Sequence, residues 1–443
     1  MKKTTTQQVI ENIVSPFQRF LRIEASGGIL LMVMTLVALF WANSKWQDLY
    51  VHFFHQTFVV GFSQYVLSYS LLHWINDALM VIFFFVVGLE IKREVLAGEL
   101  SSFKQASLPI AAAVGGMLMP ALIYSIITSS PPAQDGWGIP MATDIAFSLG
   151  VLSLLGKKVP LSLKIFLVAF AIVDDLGAIL IIALFYSSQI YWHMLLIGLG
   201  LVIFLFVLNY LNIQTINLYV VTGFLIWYFF LKSGIHPTIA GVLIAFAIPS
   251  KRKINVMTFR RIIQRNLDPF CVDCEDEFRL NQAQMTSIES MEQHMKKVRS
   301  PAQTLEYSLH GFVTFFVMPL FALANAGVAI QGGAIEDFFR PVSFNIETSL
   351  LFGKVIGITL FSWLAVKFGI SKLPATVKWV HIVGLGLLGG MGFTMSLFIS
   401  NLAFRSGALL DEAKIGILVG SFIAGVLGYL LLRLTLKPKQ VKD

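Results

Sequence analysis

Apolar runs of about 20 residues, the length that crosses a bilayer as a helix, recur along the chain between Gly27 and Leu436. Short polar stretches rich in Gly, Pro, Lys and Arg separate them. Counting runs and breakers predicts twelve transmembrane helices, at 27–43, 73–91, 106–128, 138–155, 161–186, 192–210, 216–231, 236–249, 306–330, 348–369, 379–402 and 412–435. The start of the eighth, at His236-Pro237, is its least defined boundary. The pattern is that of an all-α polytopic membrane protein: a single transporter-like membrane domain over 1–443, with an extracytoplasmic loop at 44–72 and a cytoplasmic insertion at 251–304.

Composition agrees. Apolar residues make up 56% of the chain and charged residues 13%, about half the charged share of a soluble domain. A net charge of +8 does not imply nucleic acid, because the basic residues sit in loops between apolar runs. Of 33 Lys and Arg, 27 fall in the loops of one side, five in those of the other, and Lys354 lies within a span. By the positive-inside rule this places both termini in the cytoplasm. The first residues lack the apolar core of a cleaved signal. Ile10, Ile13, Val14, Phe17 and Leu21, beside Arg19 and Arg22, instead predict an amphipathic helix on the membrane surface.

Two loops have patterns of their own. Phe58, Val60 and Phe62, and Tyr65, Leu67, Tyr69 and Leu71, recur at every second position around Gly61 and Ser63-Gln64. A small β-hairpin is one reading, able to pair with a second subunit through its edges; an ordered surface loop is the other. The insertion begins with Lys251-Arg252-Lys253 and passes an acidic cluster from Asp273 to Glu277. Cys271-x-x-Cys274, with His294 nearby, lacks the fourth ligand that zinc needs, so free thiols on a cytoplasmic appendage are expected.

Ionisable groups inside a span are expensive, from about 2.5 kcal/mol upward, and mark function. The clearest are Asp144, Asp174, Asp175 and Lys354; Asp77, Glu90, Glu306 and His310 lie nearer the ends. Asp174 and Asp175 are adjacent in the fifth span. Neighbours on a helix diverge by about 100°, so they are not two arms of one clamp. Their mutual repulsion at low dielectric favours holding a proton until a cation arrives, and hard oxygen ligands suit Na⁺ or Li⁺. Asp144 follows Pro140 and Thr143 at a helix break in the fourth span, and Gly384, Gly386, Gly389, Gly390 and Gly392 interrupt the eleventh. Two interrupted helices at matching places in spans 3–5 and 10–12 make an inverted repeat around a transporter's substrate site; close helix packing is the bland reading of the glycines. Lys354 requires an anionic partner, Asp174 or Asp144. Glu90, Arg93, Glu306 and His310 gather at cytoplasmic helix ends, either as solvated termini or as a pH-sensing mouth. His236 reads as a helix-start residue.

Several segments then resemble one family: Trp74-Ile-Asn-Asp-Ala-Leu-Met, Val87-Gly-Leu-Glu-Ile-Lys-Arg-Glu94, Ala142-Thr-Asp-Ile-Ala146, Val173-Asp-Asp-Leu-Gly177, Pro319-Leu-Phe-Ala-Leu-Ala-Asn-Ala-Gly327, Gly353-Lys354 and Gly392-Phe-Thr-Met-Ser396. The chain resembles the NhaA-type sodium/proton antiporters. The resemblance implies a bacterial inner-membrane protein that exports Na⁺ or Li⁺ in exchange for a larger number of H⁺. Such a protein is electrogenic and active at alkaline pH, and it serves sodium and pH homeostasis. It implies Asp174, Asp175 and Thr143 as the Na⁺/H⁺ site, with Asp175 the more direct ligand. Asp144 and Lys354 are implied to balance the helix breaks, Lys354 also pairing with Asp174. Glu90, Arg93, Glu306 and His310 are implied as the pH-sensing funnel, with Asp77 in support. A homodimer through the 44–72 hairpin and no resident cofactor are implied as well. The chain departs from the family in its long insertion and in Tyr307, where a histidine is familiar. Two other classes remain: an intramembrane aspartyl protease and a passive cation channel. Neither explains Lys354 together with the glycine breaks.

Overall fold

The computed structural model describes residues 26–62, 65–187, 189–267, 280–329, 338–374, 376–404 and 407–436. The expected N-terminal surface helix, Cys271, Cys274 and the acidic cluster lie outside these residues. The described chain is almost wholly helical. Its helices are α1 Ser26–Ala42, α2 Gln47–His55, α3 Leu71–Ala97, α4 Phe103–Ile127, α5 Ile145–Leu154, α6 Leu161–Phe185, α7 Trp192–Tyr210, α8 Ile216–Ser233 and α9 Thr238–Ala247. After them come α10 Val256–Leu267, α11 Gln282–Val298, α12 Pro301–Asn325, α13 Pro341–Lys367, α14 Trp379–Gly389, α15 Phe393–Ala403 and α16 Ala408–Thr435. A 3₁₀ segment, Ala133–Met141, precedes α5.

Eight of the described helices are long and apolar enough to cross a membrane, or up to eleven elements if each bent pair is one span. The chain is a multi-pass membrane protein. The bent pairs are α1 with α2 (113°), the 3₁₀ segment with α5 (46°) and α14 with α15 (46°). Helix α9 is apolar but only 10 residues long, well short of a bilayer's thickness by itself. It begins at Thr238, just past Pro237, where a missing N–H leaves no unsatisfied donor.

The loop at 44–72 holds both a helix and a hairpin. Helix α2 escaped the sequence reading because its buried side, Tyr50 and Phe54, is too short to stand out. Strands β1 (Thr57–Phe62) and β2 (Tyr65–Ser70) pair antiparallel, with Phe58 opposite Tyr69 and Val60 opposite Leu67. The alternating residues therefore share one face. Trp74 fixes the hairpin to α3 by donating its indole N–H to the Phe58 carbonyl at 3.0 Å. The insertion is in part an antiparallel helical hairpin of α10 and α11. Asn266 donates to Ser290 between them at 3.0 Å.

Three spans contain a single π-helical turn: Ile75–Leu79 in α3, Val313–Val317 in α12 and Ser349–Gly353 in α13. Such turns re-aim side chains, often at functional sites. The first carries Asp77 and the third ends just before Lys354. No hydrophobic pattern marks them.

Helices α4 and α13 pack most closely where Gly115 faces Gly357. A Cβ on Gly357 would stand 2.0 Å from the Gly115 carbonyl oxygen, and one on Gly115 2.2 Å from that of Gly357. Because α13 carries Lys354 and α4 lies against α6, this backbone contact positions the lysine. Replacing Gly357 by Val is expected to destabilise the detergent-solubilised protein by at least about 3 kcal/mol. Gly200→Ala, which meets nothing within 4 Å, is expected to leave the thermal midpoint unchanged or slightly raised. Paired thermal-unfolding curves check both.

Candidate functional site

The two 46° bends lie against each other. The Asp144 N–H donates to the Met391 carbonyl at 2.7 Å, so the extended backbone of one break touches that of the other. Each break leaves two half-helix ends with unsatisfied backbone groups, N–H at one and C=O at the other. The four ends meet in the protein interior, away from water.

One carboxylate serves both N-terminal ends. Asp144 Oδ1 accepts the Phe147 N–H at 2.9 Å, capping α5. Its Oδ2 accepts the Thr394 N–H at 3.1 Å and the Thr394 hydroxyl, holding the start of α15. Both ends carry the positive pole of a helix dipole, which a carboxylate offsets. The C-terminal ends are met by a cation and by hydroxyls. Lys354 Nζ donates to the Met141 carbonyl, where the 3₁₀ segment ends. It also donates to Thr143 Oγ1 at 2.9 Å and Asp174 Oδ2 at 2.9 Å. The Thr143 hydroxyl in turn donates a hydrogen bond to the Gly389 carbonyl at 2.8 Å, at the end of α14. Ser148 bonds the Leu388 carbonyl at 2.8 Å and Ser396 the Ile139 carbonyl at 2.7 Å. Lys354 and Asp174 are both 0% exposed.

The structure therefore chooses between the two partners open to Lys354. Asp174 takes the ammonium, while Asp144 is occupied by backbone and hydroxyl donors. Thr143 joins the Lys354 group. Asp175, one residue on, points elsewhere, as helical geometry requires. It opens on a small cavity of about 50 Å³ whose polar lining is Glu90, Asp144, His310, Thr314 and Thr394. Asp175 Oδ1 is buried without a hydrogen-bond partner among the described residues.

Of the four mouth residues, Glu90 and His310 line that same cavity, with His310 Nδ1 3.3 Å from Glu90 Oε1. Arg93 bridges Glu94 at 3.0 Å and pairs with Glu306. The neighbouring Lys92 bonds the Phe246 carbonyl at 2.6 Å and that of Ile248, closing the end of α9. Arg299, at the end of the insertion, stands over the Tyr307 ring at 5.6 Å. The insertion thus reaches the mouth.

Asp77 is not brought to this site. It lies near the hairpin, in a separate cavity of about 520 Å³, 2.7 Å from His73 Nε2 and 3.4 Å from His236 Nε2. His236 does sit at a helix start, its Nδ1 2.8 Å from Thr238 Oγ1, and it has this second contact as well. Sequence reasoning gave no role to Thr394, Ser148 or Ser396. The signal was available: Gly392-Phe-Thr-Met-Ser mirrors Ala142-Thr-Asp, a hydroxyl residue just after each break. Among the described residues no group of three or more His, Cys, Asp or Glu is placed to hold a metal ion.

Crossed helix breaks around buried charges, in a multi-pass helical membrane protein, are the arrangement of an ion-coupled secondary transporter. The chain belongs to the Na⁺/H⁺ antiporter 1 family, whose model matches residues 18–432. It is 48% identical to the Na⁺/H⁺ antiporter NhaA of Oleidesulfovibrio alaskensis, over 98% of this chain and 97% of that protein. It is 47% identical to the NhaA proteins of Sulfurimonas denitrificans and of Phocaeicola vulgatus, over 97% of this chain and 98% of each of those. A solved structure of the sodium proton antiporter MjNhaP1 from Methanocaldococcus jannaschii is similar at 12% identity and a TM-score of 0.47, over 96% of this chain and 99% of that one.

Breaking the buried pair exposes its role in the fold. Lys354→Ala leaves a buried Asp174 without its counter-charge and removes the lysine donor from the Met141 carbonyl, and is expected to destabilise the protein by about 3–5 kcal/mol. Lys354→Ala combined with Asp174→Ala should recover part of that loss, since no buried charge is then left alone. Thermal midpoints of the two variants and the parent in one detergent test the pairing.

Proposed function

We propose that this chain exchanges cytoplasmic Na⁺ or Li⁺ for external H⁺ across a bacterial inner membrane, and that Asp175 is the group the two cations compete for. One observation carries the reading: Asp175, whose buried Oδ1 has no hydrogen-bond partner among the described residues, lines a cavity, while the neighbouring Asp174 spends its Oδ2 on Lys354. A bare carboxylate in so dry a place is costly, so Asp175 carries either a proton or a cation. Carboxylate and hydroxyl oxygens around the cavity suit a hard cation. Na⁺ entering from the mouth displaces the Asp175 proton. Drawing Asp174 toward the cation loosens its bond to Lys354, which then gives up a second proton. Two protons against one Na⁺ make the cycle electrogenic.

The remaining parts follow from the same reading. The two crossed pairs are interrupted membrane spans. Taken with α1, the eight long helices and the short α9, they make twelve, with both termini cytoplasmic as the basic loops require. The exposed apolar hairpin, with Phe58, Val59, Val60 and Val66 on its surface, supports a homodimer through β1 and β2. Glu90 and His310, sharing the Asp175 cavity, make the mouth responsive to pH. The Glu90–His310 contact beside this cavity is the part through which this reading has pH open or close the path.

In everted vesicles with an imposed ΔpH, adding Na⁺ or Li⁺ is expected to dissipate the gradient. Asp175→Asn, which keeps the shape but cannot ionise, should abolish that response while the protein remains folded. Wild-type dissipation by Asp175→Asn would sink the assignment. Na⁺ flux without proton movement would make the protein a channel.

His310→Ala removes the imidazole that contacts Glu90. The same ΔpH assay, run from pH 6.5 to 9, should show activity extending to lower pH with the maximal rate retained. An unchanged profile would remove His310 from the pH response.

A further inference from the structure

Two cavities approach each other along α3 and α15, the first also bounded by α12, without joining. The cavity at Asp175 lies toward the insertion, and the larger one at Asp77 lies toward the hairpin. Between them Met80, Phe84, Phe321 and Phe398 pack with no exposed surface. The Phe398 ring is 5.6 Å from that of Phe84 and 6.3 Å from that of Phe321.

On the hairpin side of this layer three asparagines bond across the same three helices. Asn325 Oδ1 accepts from Asn401 Nδ2 at 2.9 Å and from Asn76 Nδ2 at 3.2 Å. Asn325 Nδ2 donates back to Asn76 Oδ1 at 2.8 Å and to the Phe321 carbonyl at 2.9 Å. Asn325 is completely buried, whereas Asn76 and Asn401 line the larger cavity. Water there can take over the bonds of Asn76 and Asn401, and Asn325 Nδ2 keeps the Phe321 carbonyl, so opening the contact costs chiefly the bonds of Asn325 Oδ1.

Helix α15 links this contact to the ion site. Thr394, Phe398 and Asn401 stand at i, i+4 and i+7, one stripe of a helix, about 10 Å long at 1.5 Å per residue. Thr394 holds Asp144, Phe398 forms the plug, and Asn401 holds Asn325. A shift of α15 at Thr394 therefore moves the plug and the asparagine contact together.

We propose that Asn325 is a positioning residue: the latch that keeps the hairpin-side path closed by tying α15 to α3 through Asn401 and Asn76, and that must let go for the site to face that side. The inference rests on the exchange function proposed above and names how access to that site is controlled. Its test uses the full chain with Cys271→Ser and Cys274→Ser, the two native thiols. Met395→Cys supplies a reporter in the inner cavity, which Met395 lines. A membrane-impermeant maleimide is applied to right-side-out and to everted vesicles. In this parent, labelling is expected from the insertion side alone. Asn401→Ala, and independently Asn325→Ser, should raise labelling from the hairpin side by about three- to tenfold, the worth of one interhelical hydrogen bond. Labelling from the insertion side should stay level or fall. Equal increases from both sides would mean loosened packing and overturn the latch, as would no change in either variant. Na⁺-dependent ΔpH dissipation is read on the same vesicles. Its absence in the native protein would sink the exchange reading without touching the labelling result.

Discussion

Four helix ends meet among buried residues, and the rest of the structure is arranged around satisfying their backbone groups. A helix end buried without partners costs about a hydrogen bond's desolvation for each orphan group. Asp144 answers both N-terminal ends with two oxygens, and Lys354 answers a C-terminal end with one of its three donors. Hydroxyls of Thr143, Ser148 and Ser396 complete the set. The breaks are therefore stable only as a crossed pair, because each half supplies what the other lacks.

This arrangement explains why the adjacent acids differ. Lys354 has a place on the breaks and draws Asp174 to itself, which uses that carboxylate's Oδ2. Asp175 is turned away by the helical twist and receives no such partner. In the proposed exchange the division matters: one acid is held by a lysine that can yield a proton, and the other is left for the cation. The lysine in turn depends on a backbone contact. Gly115 and Gly357 bring α4 and α13 close enough to set its base, and a π turn just before it sets its direction.

The cavities at Asp175 and at Asp77 are linked to the same crossing. Thr394 reaches the Asp144 carboxylate at one end of α15, and Asn401 reaches Asn325 near the other. A rigid half-helix touching the charge balance at its start and a hydrogen-bonded contact near its end can relate the two without any long-range deformation.

Much of this was legible in the sequence. Apolar runs of bilayer length gave the helical membrane architecture, since hydrophobic length alone decides it. Acids and a lysine inside those runs marked the site, because their cost demands a reason, and the glycine and proline clusters marked both breaks. The alternation at 58–71 offered a hairpin beside a plain surface loop, and the structure has the hairpin and sets its register. Tertiary structure decided the rest. Lys354 had two carboxylates within plausible reach, and only the packing of α13 against α4 and α6 selected Asp174. The sequence grouped Glu90 and His310 with Arg93 and Glu306 at a cytoplasmic mouth and set Asp77 in support; the fold sent Asp77 to a separate cavity and brought Glu90 and His310 to the cavity of Asp175. The π turns, helix α2 and the three bonded asparagines carry no periodic signal. They exist because distant segments, 249 residues apart in the case of Asn76 and Asn325, meet only when the chain has folded.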